Sequence, residues 1–192
     1  MTLSGPDGYV YDPDGVCTKE KIDFLLEMRA SGHDKVQDYA DKFGCQFVAG
    51  EKPWGVKADI IMPAATQNDV NMEQAKKIVA NGIKYYIEVA NMPTTNDALE
   101  FLKEQKHMVI APSKAVNACG VAVSALEMAQ NAERLYWTAE EVDAKMHQIM
   151  ANIYHSSVAA AERYGLGYDL VAGANIVGFQ RVADAMMAQG IF

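Results

Sequence analysis

The sequence lacks the features that accompany secretion, membrane insertion and nucleic-acid binding. It holds three cysteines (Cys17, Cys45 and Cys119) and no C-x-x-C pair. No disulfide framework is therefore expected, and the expected setting is reducing and cytoplasmic. No apolar run approaches the roughly 20 residues that span a bilayer, and residues 1–7 do not resemble a signal peptide. Seventeen Lys and Arg against 25 Asp and Glu give a net charge of −8, which argues against a nucleic-acid partner because phosphate backbones are bound by basic surfaces.

Short catalytic and metal-binding motifs are also missing. The 192 residues contain no G-x-G-x-x-G loop, no Walker lysine motif, no G-x-S-x-G turn and no H-E-x-x-H pair. The four histidines have no zinc-ligand spacing with each other or with the cysteines. We therefore expect no metal site, and no motif of this kind assigns a catalytic residue.

What the sequence does contain is an alternation of helical patterns with short apolar runs, which is typical of βα units and a parallel sheet. Strands are predicted at 2–4, 45–48, 58–62, 85–90 and 107–111. Helices are predicted after a Thr18 cap, at 35–43, 72–80, 98–104 and 113–135, from a capping box at Thr138–Glu141, and at 176–188. No repeat or linker divides the chain, so one domain is expected.

Three consecutive predicted strands end in the same way, with a proline and then amide or hydroxyl side chains. The exits are Pro63-Ala-Ala-Thr-Gln-Asn68, Asn91-Met-Pro-Thr-Thr95 and Pro112-Ser-Lys114. Taken singly, each exit is better explained by an Asx turn or a helix N-cap. Ligands of parallel sheets bind beyond the carboxyl ends of the strands, and three polar exits at one edge favour a binding site there.

The helix after Ser113 presents two stripes. One contains polar and small residues at three- and four-residue steps: Lys114, Asn117, Val121, Ser124 and Met128. The neighbouring stripe is apolar and suits the core, with Cys119 as a buried thiol among Val116, Val123 and Leu126. The polar stripe is explained either by helix packing or by the lining of a pocket for a short polar substrate.

The first residues predict the end of a strand, Thr2-Leu3-Ser4, followed by a turn, Gly5-Pro6-Asp7-Gly8. In a dinucleotide-binding fold, an acidic residue at the end of the second strand binds the adenosine ribose hydroxyls. Asp7 fits that role, and it fits a reverse turn equally well. The residue types leave both interpretations open.

At four segments the sequence closely resembles the bacterial hexameric glutamate dehydrogenases of the Glu/Leu/Phe/Val dehydrogenase family: Pro63–Asn68, Glu88–Thr95, Ala111–Ala118 and Gly173–Phe179. The resemblance runs along the whole chain but covers only the later part of the family's chain, which is more than twice as long. It implies a truncated, Rossmann-like, doubly wound α/β domain with a mostly parallel sheet. On this view residues 1–192 are one partial dinucleotide-binding domain, with extra C-terminal helices from about residue 138.

The resemblance also implies roles for individual residues. Ser4, Pro6 and Asp7 resemble the turn beside the adenosine ribose of the cofactor. Ala65, Thr66 and Gln67 resemble the loop along the nicotinamide side, and Asn91 resembles the amide near the nicotinamide ribose. The residues that resemble the glutamate pocket are Asn117, Val121 and Ser124, with the Ser124 hydroxyl on the distal carboxylate. The family usually has glycine where this chain has Cys119 and Ala125, and each change adds a side chain beside a tight pocket or helix contact.

The activity that the resemblance implies is the oxidative deamination of glutamate to 2-oxoglutarate and ammonia, in a complete chain. The Gly-rich loop and the substrate domain with the family's catalytic lysine and aspartate are expected to precede Met1. The isolated chain is therefore expected to be inactive and to be a monomer or a weak oligomer, whereas a complete chain would form a homo-hexamer. NAD is favoured over NADP because Asp7 would repel the 2′-phosphate.

Two other interpretations stay open at this point. The chain could be a non-catalytic module that binds a nucleotide or an acidic metabolite, or one half of a split dehydrogenase. It could also belong to a leucine or phenylalanine dehydrogenase, although a hydroxyl at Ser124 argues against an apolar substrate pocket.

Overall fold

The computed structural model describes residues 1–33 and 35–190 of the chain. These residues divide into two compact units, one from Met1 to Val56 and one that begins at Lys57. Each unit is described by itself. The expectation of one partial dinucleotide-binding domain over 1–192, which includes positions 34, 191 and 192 outside the described residues, stays a prediction.

The first unit combines three short strands with two helices. In chain order its elements are β1 (Thr2–Gly5), β2 (Gly8–Tyr11), α1 (Lys19–Ala30), α2 (Gln37–Phe43), β3 (Gln46–Ala49) and a 3₁₀ turn (Pro53–Gly55). The predicted helices are confirmed: Thr18 caps α1 by accepting from the Lys21 N–H, and Gly44 ends α2 with a φ of 68°. The strand β2 lies where the sequence pattern predicts none.

The sheet of this unit is antiparallel, in the order β1-β2-β3. For these strands the predicted mostly parallel sheet is wrong. The reason is local, because Pro6 and Asp7 form a two-residue connection that pairs Gly5 with Gly8 and returns the chain at once. Gly8 is required there, since its φ is +147° and a Cβ would lie 2.2 Å from the Val48 carbonyl oxygen.

A buried ion pair joins the end of β2 to both helices of the first unit. The Lys21 ammonium donates to Asp12 Oδ2 at 2.6 Å, and the Tyr39 hydroxyl donates to the same oxygen at 2.7 Å. Asp12 is 3% exposed. The hydrogen bond from Lys21 lowers the pKa of Asp12, and the hydrogen bond to Asp12 raises the pKa of Lys21. Burial raises the pKa of Tyr39. This pair lies beside the apolar core of Val10, Val36, Tyr39 and Ala40.

The second unit is a parallel sheet with helices. Its elements are β4 (Ile60–Ile61), α3 (Met72–Ala80), β5 (Tyr85–Ile87), α4 (Asn96–Lys103), β6 (Val109–Ala111), α5 (Ser113–Val116), α6 (Ala118–Glu133), α7 (Ala139–Arg163) and α8 (Leu170–Gln189). The strands are parallel and lie in the order β4-β5-β6. Three parallel strands were predicted, but each is shorter than predicted. At β5, for example, the N–H groups of Val89 and Ala90 both turn to the Pro63 carbonyl oxygen instead of continuing the ladder.

Helices α7 and α8 pack closely because a glycine lies at their contact. A Cβ on Gly173 would lie 2.0 Å from the Ser157 carbonyl oxygen and 3.3 Å from the Ala161 Cβ. The capping box of α7 is confirmed, since Glu141 N–H donates to Thr138 Oγ1 and Thr138 N–H donates to the Glu141 carboxylate. Helix α8 begins at Leu170, six residues before the predicted start at 176, because Asp169 caps it by accepting from the Ala172 N–H.

The apolar stripe of α6 is not a core face in this unit. No residue of α6 is buried, and Cys119 is half-buried rather than enclosed. Val123 of the same stripe is 36% exposed, and Leu126 is half-buried. Among the described residues, no element covers this helix fully, so the predicted burial of the stripe and of the Cys119 thiol is wrong for the chain as described.

Candidate functional site

The three predicted strand exits meet at the carboxyl ends of β4, β5 and β6 and enclose a cleft of about 680 Å³. Its lining is Ala64, Ala65 and Gln67 from the first exit, Val89, Ala90 and Asn91 from the second, and Lys114, Asn117, Ala118 and Val121 from the helices after the third. A parallel sheet brings these loops to one edge because all its strands run the same way.

The first two exits are held together by backbone hydrogen bonds. Asn68 N–H donates to the Met92 carbonyl oxygen at 2.9 Å, and Val70 N–H donates to the Pro93 carbonyl oxygen at 2.9 Å. Asn68 and Met92 have φ values of 54° and 52°, a conformation that costs energy for residues other than glycine and is concentrated at functional sites. The two loops therefore form one linked rim.

The third side of the cleft is tied to the second by an amide pair. Asn117 Nδ2 donates to Asn91 Oδ1 at 2.6 Å and to the Val89 carbonyl oxygen at 3.2 Å. Lys114, one helical turn before Asn117, contacts Asn175 Oδ1 of α8. The cleft thus presents amide donors and acceptors, one ammonium group and a backbone edge. These groups suit a ligand that carries hydroxyl, amide or carboxylate oxygens.

Five of the seven residues predicted for this part of the chain line the cleft: Ala65, Gln67, Asn91, Asn117 and Val121. Thr66 lies on the same loop, where its side chain is exposed. The structure therefore brings together residues that are up to 56 positions apart in the sequence, from Ala65 to Val121.

Ser124 lies one turn beyond Val121 on α6 and is exposed. Its Oγ donates to the Gly120 carbonyl oxygen at 3.3 Å, within its own helix. To bind a carboxylate, the hydroxyl would have to leave this long bond by rotation about χ1, which is a small cost for an exposed serine.

Lys114 is the charged lining residue that the sequence-based assignment omits. It shares the polar stripe with Asn117 and Val121, so the helical spacing alone was a sufficient signal to include it. Ala64, Val89, Ala90 and Ala118 carry no polar side chain, and no sequence pattern marks them.

The residues predicted for the adenosine side lie in the first unit. Ser4 belongs to β1, and Pro6 and Asp7 form the connection between β1 and β2. The two carboxylate oxygens of Asp7 accept from the N–H groups of Val36 and Gln37 at 3.2 and 3.1 Å, at the start of α2. Asp7 is therefore more than a turn former, because it caps a helix 30 residues away in the sequence.

Neither a metal-binding cluster nor a membrane-spanning helix occurs among the described residues. Residues 1–33 and 35–190 include no group of three or more His, Cys, Asp or Glu side chains placed to hold a metal ion. Within the same residues, no helix has the length and apolar character needed to cross a membrane.

The fold and the cleft define an α/β protein with a candidate small-ligand site at the carboxyl ends of parallel strands. The chain belongs to the Glutamate/Leucine/Phenylalanine/Valine dehydrogenase family, whose pattern matches residues 1–190.

Three relatives show how close and how partial the similarity is. The chain is 75% identical over 191 residues to the NAD-specific glutamate dehydrogenase of Clostridium symbiosum, covering 100% of this chain and 42% of that protein. It is 46% identical over 197 residues to the NADP-specific glutamate dehydrogenase of Haemophilus influenzae, covering 100% of this chain and 42% of that protein. A solved glutamate dehydrogenase structure superposes with a TM-score of 0.97 at 75% identity, covering 100% of this chain and 42% of that one. The chain thus spans less than half the length of these relatives.

Proposed function

We propose that this chain is the C-terminal, Rossmann-like nucleotide-binding portion of a glutamate dehydrogenase, which in its complete form oxidises glutamate to 2-oxoglutarate and ammonia. The observation that carries the proposal is the amide pair of the cleft, in which Asn117 at the start of α6 donates to Asn91 of the second strand exit at 2.6 Å. The proposal is also supported by the family membership and by the names of the relatives.

The cleft fits the nicotinamide end of a dinucleotide. Ala65, Thr66 and Gln67 would run along the nicotinamide, and the Asn91 amide would bind a ribose hydroxyl. When bound, the cofactor accepts the hydride, and this chain's residues hold the ring and exclude water. The cleft volume of about 680 Å³ lies within the roughly 300–1,000 Å³ that such pockets occupy.

The substrate side of the cleft would be formed by α5 and α6. Asn117 and Val121 would contact glutamate, and Ser124 would donate a hydrogen bond to its distal carboxylate. Lys114 adds a positive charge in the same lining, which favours a dicarboxylate over the apolar side chain of leucine or phenylalanine.

Ser4, Pro6 and Asp7 would bind the adenosine ribose in the first unit. A carboxylate accepts a hydrogen bond from the ribose 2′-hydroxyl of NAD and repels the 2′-phosphate of NADP. Since each Asp7 oxygen accepts one backbone N–H, and a carboxylate offers about four lone-pair positions, an acceptor position remains for the ribose. We therefore propose NAD as the cofactor.

The test is a chimera in which these 192 residues replace the matching segment of the Clostridium symbiosum enzyme. We expect NAD-dependent glutamate oxidation, measured as NADH absorbance. Asn117→Ala, which removes the hydrogen bond to Asn91, should lower kcat/KM by about tenfold or more. A chimera that folds and assembles as a homo-hexamer but oxidises no glutamate would contradict the proposal.

A second candidate is a non-catalytic binder of a nucleotide or an acidic metabolite, or one half of a split dehydrogenase. The amide and ammonium groups that line the cleft would suit such a ligand without any catalytic step. The isolated 192-residue chain separates the two. The first proposal expects a monomer or weak oligomer without glutamate oxidation, whereas micromolar binding of NAD or 2-oxoglutarate by the isolated chain in calorimetry would favour the second.

A further inference from the structure

A buried carboxylate links two of the segments that border the cleft. Glu88, the residue after β5, is 4% exposed. One of its oxygens accepts from the Thr94 hydroxyl at 2.7 Å, and the other accepts from the Ser113 backbone N–H at 3.3 Å. A buried carboxylate is costly unless such bonds satisfy it, so its position is tightly determined by these two donors.

The hydrogen bonds form a chain with a defined direction. The hydroxyls of Tyr86 and Thr94 are 2.8 Å apart, and Tyr86 and Thr94 are 0% and 2% exposed. Because Thr94 has one hydroxyl hydrogen and donates it to Glu88, the Tyr86 hydroxyl must donate to Thr94. The chain therefore runs from Tyr86 through Thr94 and ends on the Glu88 carboxylate.

The two donors to Glu88 belong to the two sides of the cleft. Thr94 lies in the exit that carries Asn91, three residues earlier, and Ser113 begins α5, which leads to Asn117 four residues later. The amide pair of Asn91 and Asn117 joins the same two segments by a second connection. The separation of the two amides consequently depends on both connections.

We propose that Glu88 is a positioning residue of the cleft: its carboxylate holds the exit of β5 and the start of α5 at the separation that Asn91 and Asn117 need to bind their ligands. This inference rests on the proposed function. Glu88 is not part of the cleft lining and acts through the Thr94 and Ser113 contacts.

The experiment compares three variants in the chimera defined above. Glu88→Ala removes both acceptors. Glu88→Gln keeps both connections, because its amide oxygen accepts from Ser113 and its NH₂ donates to Thr94, whose hydroxyl then turns to Tyr86. Leu102→Ala is the matched control, since Leu102 is 0% exposed on α4 and does not line the cleft, so it lowers stability without touching the rim.

We expect Glu88→Ala to lower kcat/KM for glutamate by about tenfold or more at a temperature where all variants are folded by circular dichroism. Leu102→Ala and Glu88→Gln should each stay within about threefold of the parent. The inference is overturned if Glu88→Ala lowers kcat/KM no further than Leu102→Ala. It is also overturned if Glu88→Gln falls as far as Glu88→Ala, because the charge and not the position would then be what matters.

Asn117→Ala in the same chimera separates this inference from the proposed function. If Asn117→Ala leaves kcat/KM unchanged, the cleft is not the substrate site and the proposed function fails. If Asn117→Ala lowers kcat/KM while Glu88→Ala does not, the inference alone fails.

Discussion

Asp7 and Val36 are joined by a hydrogen bond of 3.2 Å from the Val36 backbone N–H to Asp7 Oδ1, across 29 positions of the sequence. The second oxygen of the same carboxylate accepts from the Gln37 N–H. Helix α2 has no cap from the side chain of its own N-cap residue, Val36, so Asp7 stabilises the start of α2 from the hairpin. This contact gives Asp7 a structural role in addition to the proposed one at the adenosine ribose.

Replacing Asp7 with serine should therefore have two effects. We expect Asp7→Ser in the chimera to lower the ratio of kcat/KM for NAD to that for NADP several-fold, because the negative charge near the 2′-oxygen is lost. The lost helix cap should also lower the free energy of unfolding by about 1 kcal/mol.

Thr138→Ala separates the two effects, since it removes the cap of α7 at a similar cost in stability. Its cofactor ratio should equal that of the parent. If Asp7→Ser leaves the ratio unchanged while activity survives, Asp7 is a structural residue and does not discriminate between the cofactors.

The hydroxyl of Ser124 is proposed to bind the distal carboxylate of glutamate. Ser124→Ala should raise KM for glutamate about tenfold, as expected for a lost hydrogen bond to a charged group, and should leave KM for NAD unchanged. Ser157→Ala is the control, because Ser157 Oγ also donates to a carbonyl oxygen four residues earlier in its helix, at 2.8 Å, but it lies on α7 and not on the helix that carries the cleft residue Val121. Equal effects of the two substitutions on KM for glutamate would show that Ser124 acts only within its helix.

The contact between α7 and α8 should not tolerate a larger residue at position 173. Gly173→Ala places a Cβ 2.0 Å from the Ser157 carbonyl oxygen, and we expect a loss of about 1–3 kcal/mol in the free energy of unfolding, measured with urea. Gly178→Ala lies in the same helix with no atom within 4 Å of the added Cβ and should stabilise by about 0.5–1 kcal/mol. If both substitutions have the same effect, the two helices are not in close contact at Gly173.

The sequence was most informative where local rules decide the outcome. The capping box at Thr138 and the left-handed end of α2 at Gly44 depend on neighbouring residues only, and both are confirmed. The polar exits that contain Gln67, Asn91 and Lys114 were predicted as a site because parallel strands share one edge, and the structure places all three residues in one cleft.

Features that depend on distant partners were not predictable in the same way. The strand β2 is four residues long and forms through its pairing with β1 and β3, so no periodic pattern marks it. The burial of Glu88 requires Thr94 and Ser113 to approach together, which only the folded chain shows. The start of α8 was placed six residues too late, and the close approach of α7 at Gly173 is likewise visible only in the folded chain.

The buried ion pair of the first unit predicts a defined dependence of stability on pH. Lys21 holds the pKa of Asp12 below its ordinary value of 3.8, so the pair's contribution is complete above about pH 4 and is lost as the pH falls through the lowered pKa of Asp12. The pKa of Lys21 is raised above 10.5 and that of Tyr39 above 10.0. The same contribution is therefore present below about pH 10 and is lost only as the pH rises through these raised values.

Lys21→Met should accordingly destabilise the chimera between pH 5 and pH 9 in urea unfolding, because it leaves a buried carboxylate without its cation. The difference from the parent should shrink below about pH 4, where protonation removes the charge that Lys21 compensates. Lys19→Met is the control, since Lys19 and Asp23 form a pair whose side chains are 86% and 56% exposed, and such pairs contribute about 0–1 kcal/mol. A difference between Lys21→Met and the parent that stays constant down to pH 2 would show that Lys21 stabilises the unit by packing and not by its charge.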